Sequence, residues 1–384
     1  MKIGYVVPRY GLEIRGGAEH ACRMLAERLV ATSGWEVHVF TTCATDAATW
    51  ADEFDQGEVE LNGVHVHRFA SLAGRSNEFD AFARRALVRP GAADGRRFIE
   101  LQGPVCPDAA DAAIASDARL LVFYPYLYWP TVHGIVRGGR RAVMHPAAHD
   151  EPALRLPVFR EVFAAAQGMV FQTGAERDLV HRTFATRAPH EIVLGLGVDK
   201  PPEVERGGTR DPYLLYVGRI EDGKGTRLLA EVFAKYKASH PGPLQLVLAG
   251  TVNQAPPAHS DIIVRGPVSD DDKHALFARC LAFVQPSYYE AFSLVVLEAW
   301  TAGAPVIVNG ACAPLREHVE RSGGGLTFTD DATFEAALSQ IASDGAELAR
   351  RGRTYVERNF GWPRLIERYR RFLTRVAAAV PRPG

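Results

Sequence analysis

The chain has 384 residues, 47% of them hydrophobic and 23% charged, with a formal net charge of −1. That length is too great for one ordinary core and asks for two domains, while the composition is that of a soluble globular protein. Near-neutral charge gives no bulk attraction to nucleic acid or to an anionic membrane, so any basic patch has to be local.

The N-terminal run MKIGYVV stops at Pro8, too short for a signal peptide or a membrane span, and no later stretch reaches ~18 apolar residues. Five cysteines (Cys22, Cys43, Cys106, Cys280, Cys312) are dispersed, without a C-x-x-C pair or histidines at zinc-finger spacing. They read as reduced, mostly buried thiols of a cytoplasmic protein.

Short apolar runs alternate with helical stretches throughout, the pattern of parallel α/β architecture. In the first half the runs predict strands at Ile3–Val7, Val37–Phe40, Leu120–Tyr124, Ala142–His145, Met169–Phe171 and Ile192–Leu194. Val59–Arg68 alternates around Asn62-Gly63 and reads as a hairpin. In the second half, strands are expected at Tyr213–Val217, Leu244–Ala249, Ile262–Val264, Leu281–Val284 and Pro305–Val308. Between the two sets, KPPEVERGGTRDP (residues 200–212) is rich in Pro and Gly and has no periodicity, as a linker would. Two sheets joined by one linker imply a cleft, a usual place for ligands.

Three segments carry candidate chemistry. Gly16 and Gly17 open a helix after the first strand, where bare backbone and a helix start can approach an anion, although turn geometry alone also explains such a pair. YVGRIEDGKGT (residues 216–226) spells Gly218-x4-Gly223-Lys224, nearly a phosphate-binding P-loop. It fails at Gly225, where a Ser or Thr would hold magnesium, so an ATPase is disfavoured. Arg219 and Lys224, five apart at a strand–loop–helix, can instead bind a diphosphate as fixed cations. The third segment, QPSYYEAFSLVVLEAWTAG (residues 285–303), follows a strand and enters a helix near Phe292 or Ser293, with Ser293 expected as its cap. That helix is apolar on nearly all sides, so Glu298 inside it needs a partner. Glu290, Glu298 and the helix start between them make an acid–anion hole–acid layout.

The Glu290-x7-Glu298 spacing, within GPVSDDDKHALFARCLAFVQPSYYEAFSLVVLEAWTAGAPVIV, resembles the signature of retaining, metal-independent glycosyltransferases of family 4 (group 1) with the GT-B fold. One departure is Ser293, where that family usually has glycine. The resemblance implies two Rossmann-like parallel-sheet domains facing across a cleft, with a C-terminal helix crossing back to the N-terminal domain. The implied boundaries are residues 1–203 plus 362–384 on the acceptor side and residues 204–361 on the donor side. GWPRLIERYRRFL resembles the crossing helix, with Pro363 in its first turn.

It implies, further, that Arg219 and Lys224 neutralise a leaving nucleoside diphosphate in place of a metal. Glu290 would hold hydroxyls of the donor sugar and Glu298 the ribose, while Ala291, Phe292 and Ser293 present backbone N–H groups. Arg265 and Gly266 would lie at the nucleobase, and Gly16 and Gly17 against the diphosphate. His149, in VMHPAAHDEP, resembles a cleft histidine that hydrogen-bonds the sugar or leaving phosphate, whereas His145 reads as structural.

No cofactor or metal is implied. The partners would be a nucleotide-sugar donor, of UDP or GDP, and a glycan, glycolipid or small-molecule acceptor, in a setting of cell-envelope polysaccharide synthesis. A nucleotide-sugar epimerase and a non-catalytic nucleotide-sugar-binding subunit stay open as alternatives. The acceptor side is quieter. Arg75, Arg84, Arg85, Arg89, Arg96 and Arg97 could dock a membrane surface or form a solvated helix face, and the interspersed acids favour the latter. Tyr126 and Trp129, in FYPYLYWP, read as strand end and core before acceptor platform.

Overall fold

Short apolar runs, most of them followed by a helical stretch, build two sheets in the computed structural model, which describes residues 1–14, 16–91, 93–199 and 212–381. The chain divides into two units, Met1–Gly195 with Leu365–Gly384, and Leu196–Arg364. Apart from Pro212, the linker read at residues 200–212 lies outside the described residues.

In the first unit the strands are β1 (Lys2–Val6), β2 (Glu36–Thr42), β3 (Gly57–Leu61), β4 (Val64–Phe69), β5 (Leu120–Phe123), β6 (Ala142–Met144), β7 (Gly168–Phe171) and β8 (His190–Val193). They form one sheet in the order β3-β4-β2-β1-β5-β6-β7-β8, in which only β3 and β4 pair antiparallel. Those two are the expected hairpin. Asn62 (φ 51°) and Gly63 (φ 80°) make its two-residue turn, with Leu61 opposite Val64. Helices α1 (Gly17–Ser33), α2 (Phe79–Ala86), α3 (Asp94–Gln102), α4 (Pro107–Ala115), α5 (Trp129–Gly138), α6 (Val158–Ala165) and α7 (Gly174–Phe184) connect the strands. The strands β5, β6 and β7 are buried on both faces, which is why their sequences are continuously apolar rather than alternating.

The second unit carries β9 (Tyr213–Val217), β10 (Gln245–Ala249), β11 (Ile262–Gly266), β12 (Ala282–Gln285), β13 (Val306–Asn309) and β14 (Gly325–Phe328). All pair parallel, in the order β11-β10-β9-β12-β13-β14. The strand β14 was not expected, because GLTF is short and follows two glycines. Helices α8 (Thr226–Ser239), α9 (Asp270–Arg279), α10 (Leu294–Thr301), α11 (Ala313–Ser322) and α12 (Asp331–Asn359) cover the sheet. Trp300 is the anchor of α10. Its indole Nε1 donates to the Gly324 carbonyl at 2.8 Å, and a Cβ on Gly352 would lie 2.1 Å from its ring, so α12 packs there only through glycine.

The last helix, α13 (Trp362–Ala379), belongs from Leu365 onward to the first unit. Buried Leu365, Phe372 and Leu373 hold it there, and Tyr369 OH lies 2.9 Å from both Tyr5 OH and His145 Nε2. Burial pulls His145 down to about 3, so its ring is neutral and its role structural. All five cysteines are buried and none forms a disulfide. Among the described residues no helix is long and apolar enough to cross a membrane.

Candidate active site

In the second unit, β9 has β10 on one side and β12 on the other, so the chain order reverses between β9 and β12. Ligands of open parallel sheets bind outside the strand carboxyl ends at such a switch point. Two loops emerge there, residues 218–225 after β9 and residues 286–293 after β12. They carry Arg219, Lys224 and Glu290.

The two loops touch through backbone. Gly225 has φ 74°, and a Cβ there would sit 2.1 Å from the Pro286 carbonyl oxygen. The glycine that spoils the P-loop reading is therefore required by the fold. Beside it, Lys224 Nζ donates to Glu290 Oε1 at 2.9 Å, with both side chains largely shielded. Arg219 is exposed and pairs with Glu221 at 3.2 Å, which Asn253 also binds. Its carbonyl accepts from Tyr216 OH at 2.7 Å, which fixes the turn but leaves the guanidinium outward. The carboxyl ends of β9, β10 and β11 are packed glycine on glycine. Gly218 N–H donates to Ala249, Gly250 N–H to Gly266, and a Cβ on Gly250 would meet the Gly218 carbonyl at 1.9 Å. That places Gly266 on the same rim, with Arg265 exposed on the edge strand.

The loop after β12 differs from expectation at Ser293. It is not a side-chain cap. Its φ of 71° is the left-handed conformation glycine adopts readily, and its hydroxyl accepts from Gln285 Nε2 at 3.0 Å instead of from the helix amides. The first helical residue is Leu294. Glu298 finds its partner in Lys273 of α9, 3.2 Å away. Burial alone would lower Lys273, but the Glu298 and Asp270 carboxylates outweigh it and raise its pKa.

Sequence reading did not single out what holds this loop. His318 of α11 is buried, donates Nε2–H to the Phe292 carbonyl at 2.9 Å, and packs edge-on against Phe292. Burial pulls it down to about 4. Asn309 donates to the Pro286 carbonyl at 3.0 Å. Cys312 lies beside Glu290, and burial pushes its thiol up to about 11, with the Glu290 charge adding to the effect. It stays protonated and is a poor nucleophile.

In the first unit, Gly16 is held by packing, since a Cβ there would meet Glu19 Oε2 at 2.1 Å. Glu19 is buried and bonded by Arg9 at 2.9 Å, a pair that sequence reading passed over. Gly17 faces open space. His149 sits half-buried in the loop after β6, 3.8 Å from Glu151. That loop is held by Glu176, whose carboxylate accepts from Ala148 N–H at 2.8 Å and Gln172 N–H at 2.6 Å. Burial raises Glu176 to about 8 against those amides. Thr173-x-x-Glu176 is a capping box, the signal that could have found it.

Tyr126 is buried and donates to Glu151 at 2.9 Å, and Trp129 stacks on His133. Among the six arginines, Arg96 and Arg97 pair with Glu161 and Glu78, while Arg75 and Arg85 cover Phe79 and Phe82.

The fold is that of sucrose-phosphate synthase from Thermosynechococcus elongatus, with a TM-score of 0.73 at 20% identity over 99% of this chain and 100% of that one. A second solved structure, of Anabaena HepE in complex with UDP, aligns with a TM-score of 0.65 at 15% identity, over 97% of this chain and 100% of that one. Both sheets are thus those of GT-B proteins. Residues 211–344 match the family model of the glycosyl transferases group 1. Among curated relatives, glycogen synthase of Mycobacterium tuberculosis is 28% identical, over 94% of this chain and 92% of that protein.

Two outcomes test this geometry. Gly225→Ala adds a Cβ against the Pro286 carbonyl and forces an alanine to φ 74°, a conformation disfavoured by ~1–2 kcal/mol before the clash. Thermal melting should show a loss of at least about 2 kcal/mol, whereas Gly223→Ala, which meets nothing, should stay within about 1 kcal/mol. The second concerns pH. The His318 ring is favoured neutral in the fold and titrates near 6.5 when unfolded, so its contribution is complete above 6.5 and is lost as pH falls toward 4. The advantage of the native protein over His318→Gln should shrink across that window, by on the order of 3 kcal/mol at most, in melts run at each pH.

Proposed function

We propose that this chain transfers a sugar, with retention at the anomeric carbon and without a metal, from a nucleoside-diphosphate sugar to a hydroxyl acceptor. The observation that carries the reading is Lys224 Nζ, 2.9 Å from Glu290 Oε1 at the switch point, with the exposed Arg219 guanidinium on the same loop. A lysine and an arginine on one loop suit a diphosphate, whose developing charge they would stabilise as the anomeric C–O bond to phosphate breaks. The bond from the acceptor oxygen forms on the same face, and the hydroxyl proton passes to a phosphate oxygen. Glu290 orients the sugar hydroxyls. Glu298 is the ribose acceptor, once Lys273 shares or releases it, and the backbone of Ala291, Phe292 and Ser293 supports the phosphate.

Arg265 and Gly266 are assigned to the base. UDP is favoured as the carrier because the related folds include one solved with UDP. The acceptor is a glycan, glycolipid or small molecule of a cytoplasmic, envelope-directed pathway.

Release of nucleotide from UDP- and GDP-sugars by the purified chain tests the proposal. Lys224→Ala should lower kcat by roughly 10²–10³, and Glu290→Gln should impair transfer while leaving nucleotide binding largely intact. A chelator should change nothing. Full turnover by Lys224→Ala, or turnover abolished by chelation, would overturn it.

A further inference from the structure

The first sheet carries, on β2 and β4, a histidine array that the transfer reaction does not use. Residues two apart on a strand share a face, so Glu36 and His38 on β2 lie on one side, as do His65 and His67 on β4. The parallel register sets His38 beside His65, and the hairpin sets Glu58 beside His67. The rings confirm the shared face. His38 stacks on His65 with centroids 4.8 Å apart, and on His67 at 5.1 Å.

A hydrogen-bonded chain runs through the array. Glu36 Oε1 lies 2.7 Å from His38 Nε2, His38 Nδ1 lies 2.8 Å from His67 Nε2, and His67 Nδ1 lies 2.9 Å from Glu58 Oε1. Lys2 also holds Glu36, at 3.0 Å. One ligand atom each from Glu36, His38 and His65 falls within 4.8 Å of the others.

We propose that Glu36, His38 and His65 form a surface site for a borderline divalent transition ion such as Zn²⁺, with His67 and Glu58 as its outer partners. Two imidazoles and one carboxylate are the donor set such ions take, and hard oxygen-seeking ions such as Mg²⁺ or Ca²⁺ do not prefer it. Bonds of ~2.0–2.1 Å bring tetrahedral ligand atoms to about 3.3 Å apart, so the three groups must close by no more than about 1.5 Å. Glu36 and His65 are exposed and can close by side-chain rotation alone. The remaining chain sets the tautomer. With Glu58 accepting from His67 Nδ1–H and His67 Nε2 accepting from His38 Nδ1–H, His38 presents the Nε2 lone pair to the ion. Binding replaces the Glu36–His38 hydrogen bond, whose proton leaves to solvent, and water takes the open positions. The ion would tie β2 to β4 near the edge of the sheet, a role separate from sugar transfer.

The experiment uses the full chain without a polyhistidine tag, titrated with ZnCl₂ by calorimetry and followed by the histidine ring resonances. One ion per chain is expected, with the His38, His65 and His67 resonances shifting together. His65→Ala removes an exposed ring and should fold normally, yet weaken binding at least tenfold. His67→Phe keeps a stacked ring but loses the outer hydrogen bond, and should weaken binding about 10–100-fold. Nucleotide release should be unchanged in both variants, so the outcome is independent of the proposed transfer reaction. No saturable binding, or binding unchanged in His65→Ala or in His67→Phe, overturns the proposal.

Discussion

The second unit depends on one close approach, that of Gly225 to the carbonyl of Pro286. Neighbouring parallel strands hold their backbones at fixed spacing, but the loops beyond them are free to diverge. Here a residue without a side chain, in the left-handed region, lets the loop after β9 lie directly on the loop after β12. The start of α8 is fixed in the same place, since Gly225 stands at its N-terminal boundary. The Lys224–Glu290 pair follows as a consequence, because both residues are carried by loops whose backbones already touch.

Around that contact the polar groups of the loop after β12 are individually held. The Pro286 carbonyl takes a bond from Asn309, the Phe292 carbonyl one from His318, and the Ser293 hydroxyl one from Gln285. Buried backbone carbonyls need such partners, and each here is supplied by a different element. The loop is thereby positioned before any ligand arrives, which the proposed stabilisation of a leaving group would require. In the first unit Glu176 does the same for the loop bearing His149, with backbone amides of Ala148 and Gln172 as its partners.

Much of this was legible in the sequence because parallel strands are buried on both faces and so announce themselves as apolar runs. The Asn62-Gly63 hairpin could be read from turn chemistry alone. The strand β14 could not, since four residues behind paired glycines give too little periodicity. Spacing marked Glu290 and Glu298, but the partner of Glu298 is Lys273, twenty-five positions earlier in the chain. Pairings of that kind are tertiary. The same holds for His318, Asn309 and the Arg9–Glu19 pair, each an ordinary polar residue in an ordinary helix, strand end or loop. Ser293 departs from the cap its residue type favours for a definite reason. Residue type favours a cap, but the loop's path imposes a positive φ and turns the hydroxyl toward Gln285.

We propose that fixed cations, Lys224 above all, and no metal, hold the diphosphate. Calorimetric titration of UDP and GDP, each with magnesium and with excess chelator, tests it most directly. The account predicts one tight diphosphate whose affinity is the same in both buffers and falls at least tenfold in Lys224→Ala. Binding that requires magnesium, or that ignores the loss of Lys224, would contradict it.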